Sequence, residues 1–274
     1  MVDAALQITL VVVSFGAIFV AVRYARPLTV AATIGALLVA EIVALNAGAP
    51  LSIAASAAIA VEIGLVAVWW YRARAGIRAW RAEARATPLL LRSPFVDRWR
   101  VAAGGPLPGR NHHLLAGDQR FAYDFVHVGG RCLGEPILAP CAGTVVAAVD
   151  ELPDLPPSMN PNRPGIAGRE LGNHVGIQTG GTTVFLCHLQ RGSLTVAAGD
   201  HVAAGTQIGR CGNSGRTTRP HLHLHAQDRP VYALRVARGV PVAFIDAGTA
   251  RVLEFGDVLD SATTREPEAA SAVL

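Results

Sequence analysis

The chain has 274 residues, of which 51% are hydrophobic, and a mean hydropathy of +0.36, high for a protein with no membrane contact. Its net charge is only +4, and all 24 basic residues are arginine. A balance this small, with no arginine run interleaved with aromatics beyond the apolar N-terminal part, argues against a nucleic-acid partner.

The hydrophobic excess sits at the N-terminus. Residues 5–22, 28–48 and 51–70 are three apolar runs, each near the roughly 20 residues that cross a bilayer as a helix. The first lacks the basic start and small-residue cleavage site of a secretory signal. Residues 1–71 are therefore predicted to be a membrane region of about three helices, with the lipid bilayer as a partner. Glu41 and Glu62 fall inside the second and third runs, where carboxylates are costly and turn toward other helices or water.

Residues 72–95 form an arginine-rich linker. Arg74, Arg78, Arg81 and Arg85 recur at helical spacing, with Ile77, Trp80 and Ala84 on another face. Such a helix suits either the membrane surface, with Trp80 at the boundary, or a solvated connection.

From residue 96 the texture changes. Short apolar runs at 136–139, 143–149, 174–178, 183–188, 194–196 and 221–225 alternate with Gly, Pro, Asn and Asp, which predicts an all-β domain over 96–245. Residues 152–168 read as a long functional rim loop. The pattern fades after about residue 246, and 246–274 is predicted to be an extension with a flexible tail. Cys132, Cys141, Cys187 and Cys211 all fall in the β part. Two disulfides are possible, but without a Cys-x-x-Cys pair the cysteines read as buried free thiols rather than a zinc knuckle.

Nine histidines occur, none before residue 112. The informative pair is His221 and His223 in Pro-His-Leu-His (220–223). Two histidines at i and i+2 on a strand share a face, and imidazole suits zinc. Spacing alone leaves open an exposed polar face made of His221, His223 and His225.

Gly-Asn-Ser-Gly (212–215) followed by Pro-His-Leu-His resembles the end of the lysostaphin-type, or LytM-like, zinc metallopeptidase domain. Further blocks agree in order: Ala-Pro-Cys-Ala-Gly-Thr-Val-Val (139–146), Gly-Asn-His-Val-Gly-Ile (172–177), Phe-Leu-Cys-His-Leu (185–189), and Ala-Gly-Asp (198–200) with Ala204-Gly205. The resemblance covers about residues 105–226. It implies an antiparallel β peptidase domain that holds Zn2+ and hydrolyses peptide bonds of bacterial peptidoglycan. It implies His223 and Asp124 as zinc ligands, and His188 and His221 as active-site histidines that handle the proton and the developing oxyanion. The chain departs from the family at the first ligand, because Arg120 stands four residues before Asp124. The Asn-His-His stretch at 111–113 resembles a family variant, which implies His113 as the ligand, with His112 and then His127 as alternatives.

Two other readings compete: a non-hydrolytic LytM-like module that activates another cell-wall hydrolase, and a membrane peptidase acting on a protein or peptide. Location is in conflict. Peptidoglycan lies outside the cytoplasmic membrane, whereas Arg23 and Arg26 after the first run and five arginines from Arg72 to Arg85 after the third favour a cytoplasmic β domain. Large domains are translocated despite flanking charge, so an extracytoplasmic domain is expected.

Overall fold

The computed structural model describes residues 53–130, 132–156, 166–232 and 236–261. The first two apolar runs, with Glu41, lie outside these residues, as do the centre of the 152–168 loop and the tail from residue 262. Among the described residues no helix is long and apolar enough to cross a membrane. The chain divides into two compact units, residues 1–79 and 80–274.

In the first unit the described chain is helical, part of the helix Ile53–Ala86. Alanine-rich sequence favours this state, and the guanidinium of Arg74 lies 3.7 Å over the Trp70 ring, four residues back. The second unit begins with the last residues of that helix. Trp80 and Ala84 are buried there against Phe121, and the Trp80 indole N–H donates to the Arg120 carbonyl at 3.2 Å. Arg81 grips Glu254 through two hydrogen bonds of 2.7 and 2.8 Å, and Arg120 pairs with Glu83 at 3.1 Å. The apolar stripe, read as suiting either a membrane surface or a solvated connection, instead packs at Trp80 and Ala84 on Phe121, with Leu114 and Val252 beside it.

The β unit is built on an antiparallel sheet whose strands run, edge to edge, Val258–Asp260, Arg98–Ala103, Tyr123–His127, Leu222–Gln227, Thr182–Leu189, Asn173–Thr179, Gly143–Val149 and His201–Val202. A parallel pair, Leu89–Leu91 with Val242–Asp246, and a small antiparallel pair, Pro136–Leu138 with Gln207–Arg210, complete the scaffold. The 194–196 run is not a strand; it connects through Thr195 to Ile208 and Gln207. Conversely, strands form after residue 246: Thr249–Arg251 pairs with Val242–Asp246, and Val258–Asp260 pairs with Arg98–Ala103, where Leu259 reaches the core. Arg98–Ala103 carries a period-two signal of its own, with Trp99 and Val101 in and Arg98 and Arg100 out.

The sheet's two faces have different jobs. One packs Phe125, Tyr123, Leu222, Leu224, Leu186 and Val184 into the core, where Phe95 stacks on Trp99 at 4.3 Å. The other carries Asp124, His223, His225, Phe185 and Cys187. The register pairs Leu222 with Phe125 and Leu224 with Tyr123, so the residues between them, His223 and Asp124, meet on the opposite face. A slip of one residue would drive both into the core, which makes the hydrophobic pattern the device that sets them side by side.

Cys132 and Cys211 form a disulfide across a sequence separation of 79, with Cα atoms 5.9 Å apart, while Cys141 and Cys187 are buried thiols. The free-thiol expectation therefore holds for two cysteines and fails for the other two. Backbone hydrogen bonds of Cys211 with Gly134 and Glu135 bring the bonded pair together, a non-local contact that spacing along the chain does not reveal.

Candidate metal and catalytic site

Three imidazoles converge on one oxygen. Asp124 Oδ1 lies 2.9 Å from His223 Nδ1, 3.1 Å from His113 Nε2 and 3.6 Å from His221 Nε2. The first two positions come from different levels of structure. His223 and Asp124 are cross-strand partners. His113 sits in the short 3-10 helix His112–Leu115, where the Asn111 side chain caps the turn by accepting from the His113 amide at 3.0 Å. The Asn111 amide in turn donates to the Gly105 carbonyl at 2.7 Å, which fixes the turn to the end of the Arg98–Ala103 strand.

The two candidates for the first ligand separate clearly. The His113 side chain is 6% exposed and its ring meets that of His223 at 4.7 Å, whereas the His112 side chain is 72% exposed, with Nε2 3.8 Å from Asp124 Oδ2. His112, His113 and Asp124 do offer donor atoms all within 4.8 Å of one another, so His112 stands at the rim of the same cluster. His127 is occupied elsewhere: its Nδ1 accepts from the Gly129 amide and its ring stands edge-on to Trp99.

His188 reaches the site by a backbone irregularity. Asn173 pairs with Leu189 and His174 with Cys187, so His188 is an extra residue in its strand. Simple alternation would send it into the core beside Val184 and Leu186. Instead it takes φ +65° and its amide bonds to the Leu171 carbonyl, which turns the ring to lie 4.8 Å from that of His221. A β-bulge of this kind re-aims one side chain while Leu189 resumes the core.

The glycine-rich turn at 212–215 positions the His188 ring, and the segment after it positions His221. His188 Nδ1 is 2.8 Å from the Ser214 carbonyl, and His221 Nδ1 is 2.8 Å from the Arg219 carbonyl. A carbonyl only accepts, so each Nδ1 carries a proton and each Nε2 is the nitrogen left for the site. Ser214 is itself held, its hydroxyl donating to Leu189 O at 2.7 Å and accepting from the Asn173 amide at 2.9 Å. Gly172 and Gly215 allow this approach. Both have positive φ, and a Cβ on Gly215 would stand 2.3 Å from the Gly172 nitrogen.

Burial and mutual charge divide the groups. Burial alone would raise the Asp124 carboxyl, but the imidazoles of His113 and His221 outweigh it and hold Asp124 well below the ordinary carboxylate range. Burial pushes His221 down, yet the Asp124 carboxylate more than offsets this and raises it. Burial, together with His221 and His223, keeps His188 well below the usual histidine value, and burial lowers His223 to about 4.

The arrangement suits a metal ion. His113 Nε2 is buried, points at Asp124 Oδ1 and makes no hydrogen bond of good geometry. Two ligand atoms bound to one zinc at a tetrahedral angle lie roughly 3.3 Å apart. The contacts of His113 and His223 with Asp124 Oδ1, at 3.1 and 2.9 Å, are close to that spacing.

Residues 129–233 match peptidase family M23. His188, His221 and His223 lie inside the matched segment; Asp124 lies upstream and reaches it through the sheet, and His113 reaches it from the 3-10 turn. A 74-residue stretch is 40% identical to the peptidoglycan DD-endopeptidase ShyA of Vibrio cholerae serotype O1, covering 26% of this chain and only 16% of ShyA. Among solved structures, a mutant catalytic domain of the prophage-encoded M23 protein EnpA from Enterococcus faecalis is 27% identical, covering 54% of this chain and 88% of that one at a TM-score of 0.34. Lysostaphin from Staphylococcus simulans is 25% identical over 43% of this chain and 40% of its own, at a TM-score of 0.32.

The M23 segment also borders open surface. Arg219 and Pro220, immediately before His221, line a groove of about 740 Å³ together with Arg100, His127, Leu133 and Glu135. Cys132 lines it too, so the disulfide joins the groove wall to the start of the glycine-rich turn. Asn111 and Ser214 stand in the 111–113 and 212–215 motifs, but their roles, capping the His113 turn and orienting His188, come only from the structure.

Proposed function

We propose that this chain is a membrane-attached zinc metalloendopeptidase that hydrolyses peptide bonds in bacterial cell-wall peptidoglycan. The observation that carries the proposal is the convergence of His113 Nε2, His221 Nε2 and His223 Nδ1 on Asp124 Oδ1, with His188 beside them. Two imidazole nitrogens and one carboxylate oxygen form a donor set suited to catalytic zinc, and His113, Asp124 and His223 would hold the ion. When bound, zinc supplies a Lewis acid that polarises the scissile carbonyl and makes water nucleophilic near neutral pH.

The chain's own residues supply proton handling and orientation. With Nδ1–H of His188 on Ser214 O and Nδ1–H of His221 on Arg219 O, neither ring can present the wrong nitrogen. The two Nε2 atoms take a proton from water or return it to the leaving amine, and a protonated Nε2 stabilises negative charge growing on the carbonyl oxygen. The Asp124 carboxylate raises the proton affinity of His221 against the effect of burial.

The likeness to ShyA supports peptidoglycan as the substrate class. The apolar N-terminal runs support membrane attachment. The Cys132–Cys211 disulfide supports an oxidising, extracytoplasmic location, against the flanking arginines.

The test uses the full-length protein purified in detergent. Its metal content is measured, and it is incubated with purified peptidoglycan with and without chelator. Zinc near one equivalent and chelator-sensitive release of new amino termini are expected, with both lost in Asp124→Ala. A folded, zinc-loaded protein that releases nothing would favour the binding-module reading; cleavage of a protein but not of peptidoglycan would move the substrate class. For location, an engineered surface cysteine in the β unit should react with a membrane-impermeant reagent in intact cells. Labelling only after permeabilisation would place the domain inside.

A further inference from the structure

His225 has no role in the site as described so far, yet it is completely buried on the site face. His223, His225 and Gln227 follow at i, i+2 and i+4 on the strand Leu222–Gln227, so their side chains form a row on that face. His223 Nε2 lies 3.0 Å from His225 Nδ1. The His225 ring is clamped, stacked on Phe185 with centroids 5.1 Å apart and planes at 13°, and Tyr232 stands edge-on at 6.2 Å.

The direction of this hydrogen bond is decided further along the row. The Gln227 side-chain amide donates to two carbonyls, Arg229 O and Val231 O, both at 2.9 Å. Carbonyls only accept, so these contacts identify the NH2 end and occupy both of its hydrogens. Among the described residues Gln227 Oε1 is a buried acceptor with no hydrogen-bond partner, and His225 Nε2 is likewise buried and without one. If His225 carries its proton on Nε2, Gln227 Oε1, next in the row, is the unfilled acceptor on that side, and His225 Nδ1 accepts from His223 Nε2–H. The opposite polarity leaves the His225 Nε2 lone pair and Gln227 Oε1 buried together as two acceptors, which burial penalises.

The favoured polarity has a consequence at the other end. With its proton on Nε2, His223 presents a bare Nδ1 lone pair 2.9 Å from Asp124 Oδ1. Two acceptors that close are stable only with a cation between them. We propose that His225, set by Gln227, is a positioning residue that holds His223 in the Nε2–H tautomer so that Nδ1 faces Asp124 as a metal ligand. The inference rests on the zinc reading above and adds to it two residues that touch neither metal nor substrate.

Zn2+ affinity of the full-length protein is measured by competition with a chromophoric chelator, for wild type, His225→Leu and His225→Asn. Removing a partner of a metal-bound histidine weakens binding about 10- to 100-fold. His225→Leu should show that loss, and His225→Asn, whose side-chain carbonyl can accept in place of Nδ1, should recover most of it. Independently of any variant, imidazole 15N spectra of the zinc-loaded wild type should show His223 protonated on Nε2, with nitrogen–nitrogen coupling to His225 Nδ1 across the hydrogen bond. Wild-type affinity in a folded His225→Leu, or a proton on His225 Nδ1 in the zinc-loaded protein, would overturn the proposal. Wild type that binds no zinc would instead sink the zinc reading, and the inference with it.

Discussion

Replacing His188 by glycine and by alanine separates the cost of its backbone from the chemistry of its ring. The residue sits at φ +65° in a bulged strand. An L-residue in this region is disfavoured by about 1–2 kcal/mol, a penalty glycine does not carry. Glycine loses roughly 0.4–1 kcal/mol through its more disordered unfolded state. Both variants lose the contact with Ser214 O, so that loss cancels between them. The balance is about 0.5–1 kcal/mol in favour of glycine, or a difference of roughly 2 °C in the unfolding midpoint for a unit of this size. Thermal unfolding of the two proteins in the same detergent, followed by tryptophan fluorescence, reads the difference. Peptidoglycan hydrolysis should fall in both by at least about 100-fold, the usual minimum for a general acid or base. Alanine equal to or more stable than glycine would refute the strained-bulge account, and appreciable activity in either variant would remove the ring from the mechanism.

Three further outcomes bear on the site. His113→Ala should lose tightly bound zinc, whereas His112→Ala should keep it, because only the His113 ring is buried against Asp124 and His223; metal analysis after dialysis compares the two. Gly215→Ala should cost about 2 kcal/mol or more through left-handed strain and overpacking against Gly172, and reduce hydrolysis by shifting the Ser214 carbonyl, as read by thermal unfolding and activity together. Denatured without reductant, the protein should expose two alkylatable thiols of four, and reduction should lower stability by up to about 4 kcal/mol for a link of this span.

Much of the β unit was legible because its strands announce themselves locally. The run at 143–149 coincides with the strand Gly143–Val149, and the blocks around His174, His188 and His223 fall on or beside the central strands. The edge strand Val258–Asp260 was not, since three residues with one buried leucine make no pattern. The end of the long helix was half legible: periodicity placed Trp80 and Ala84 on one face, but which surface covers that face is a non-local fact.

The amino-acid order by itself determined the inventory of the site: a His-Leu-His strand, a glycine turn able to adopt positive φ, an aspartate between aromatic strand residues and an upstream pair of histidines. These are properties of residue type and short-range spacing, and short-range sterics and hydrogen bonding act on them directly. Only the tertiary structure decided how the inventory is used. It placed Asp124 opposite His223 through a cross-strand register, buried His113 beside them while leaving His112 exposed, turned His188 out of the core with one extra residue, and set His225 and Gln227 behind His223. Each of these depends on which strand lies beside which and on what burial leaves unpaired, and neither is encoded within reach of a single segment.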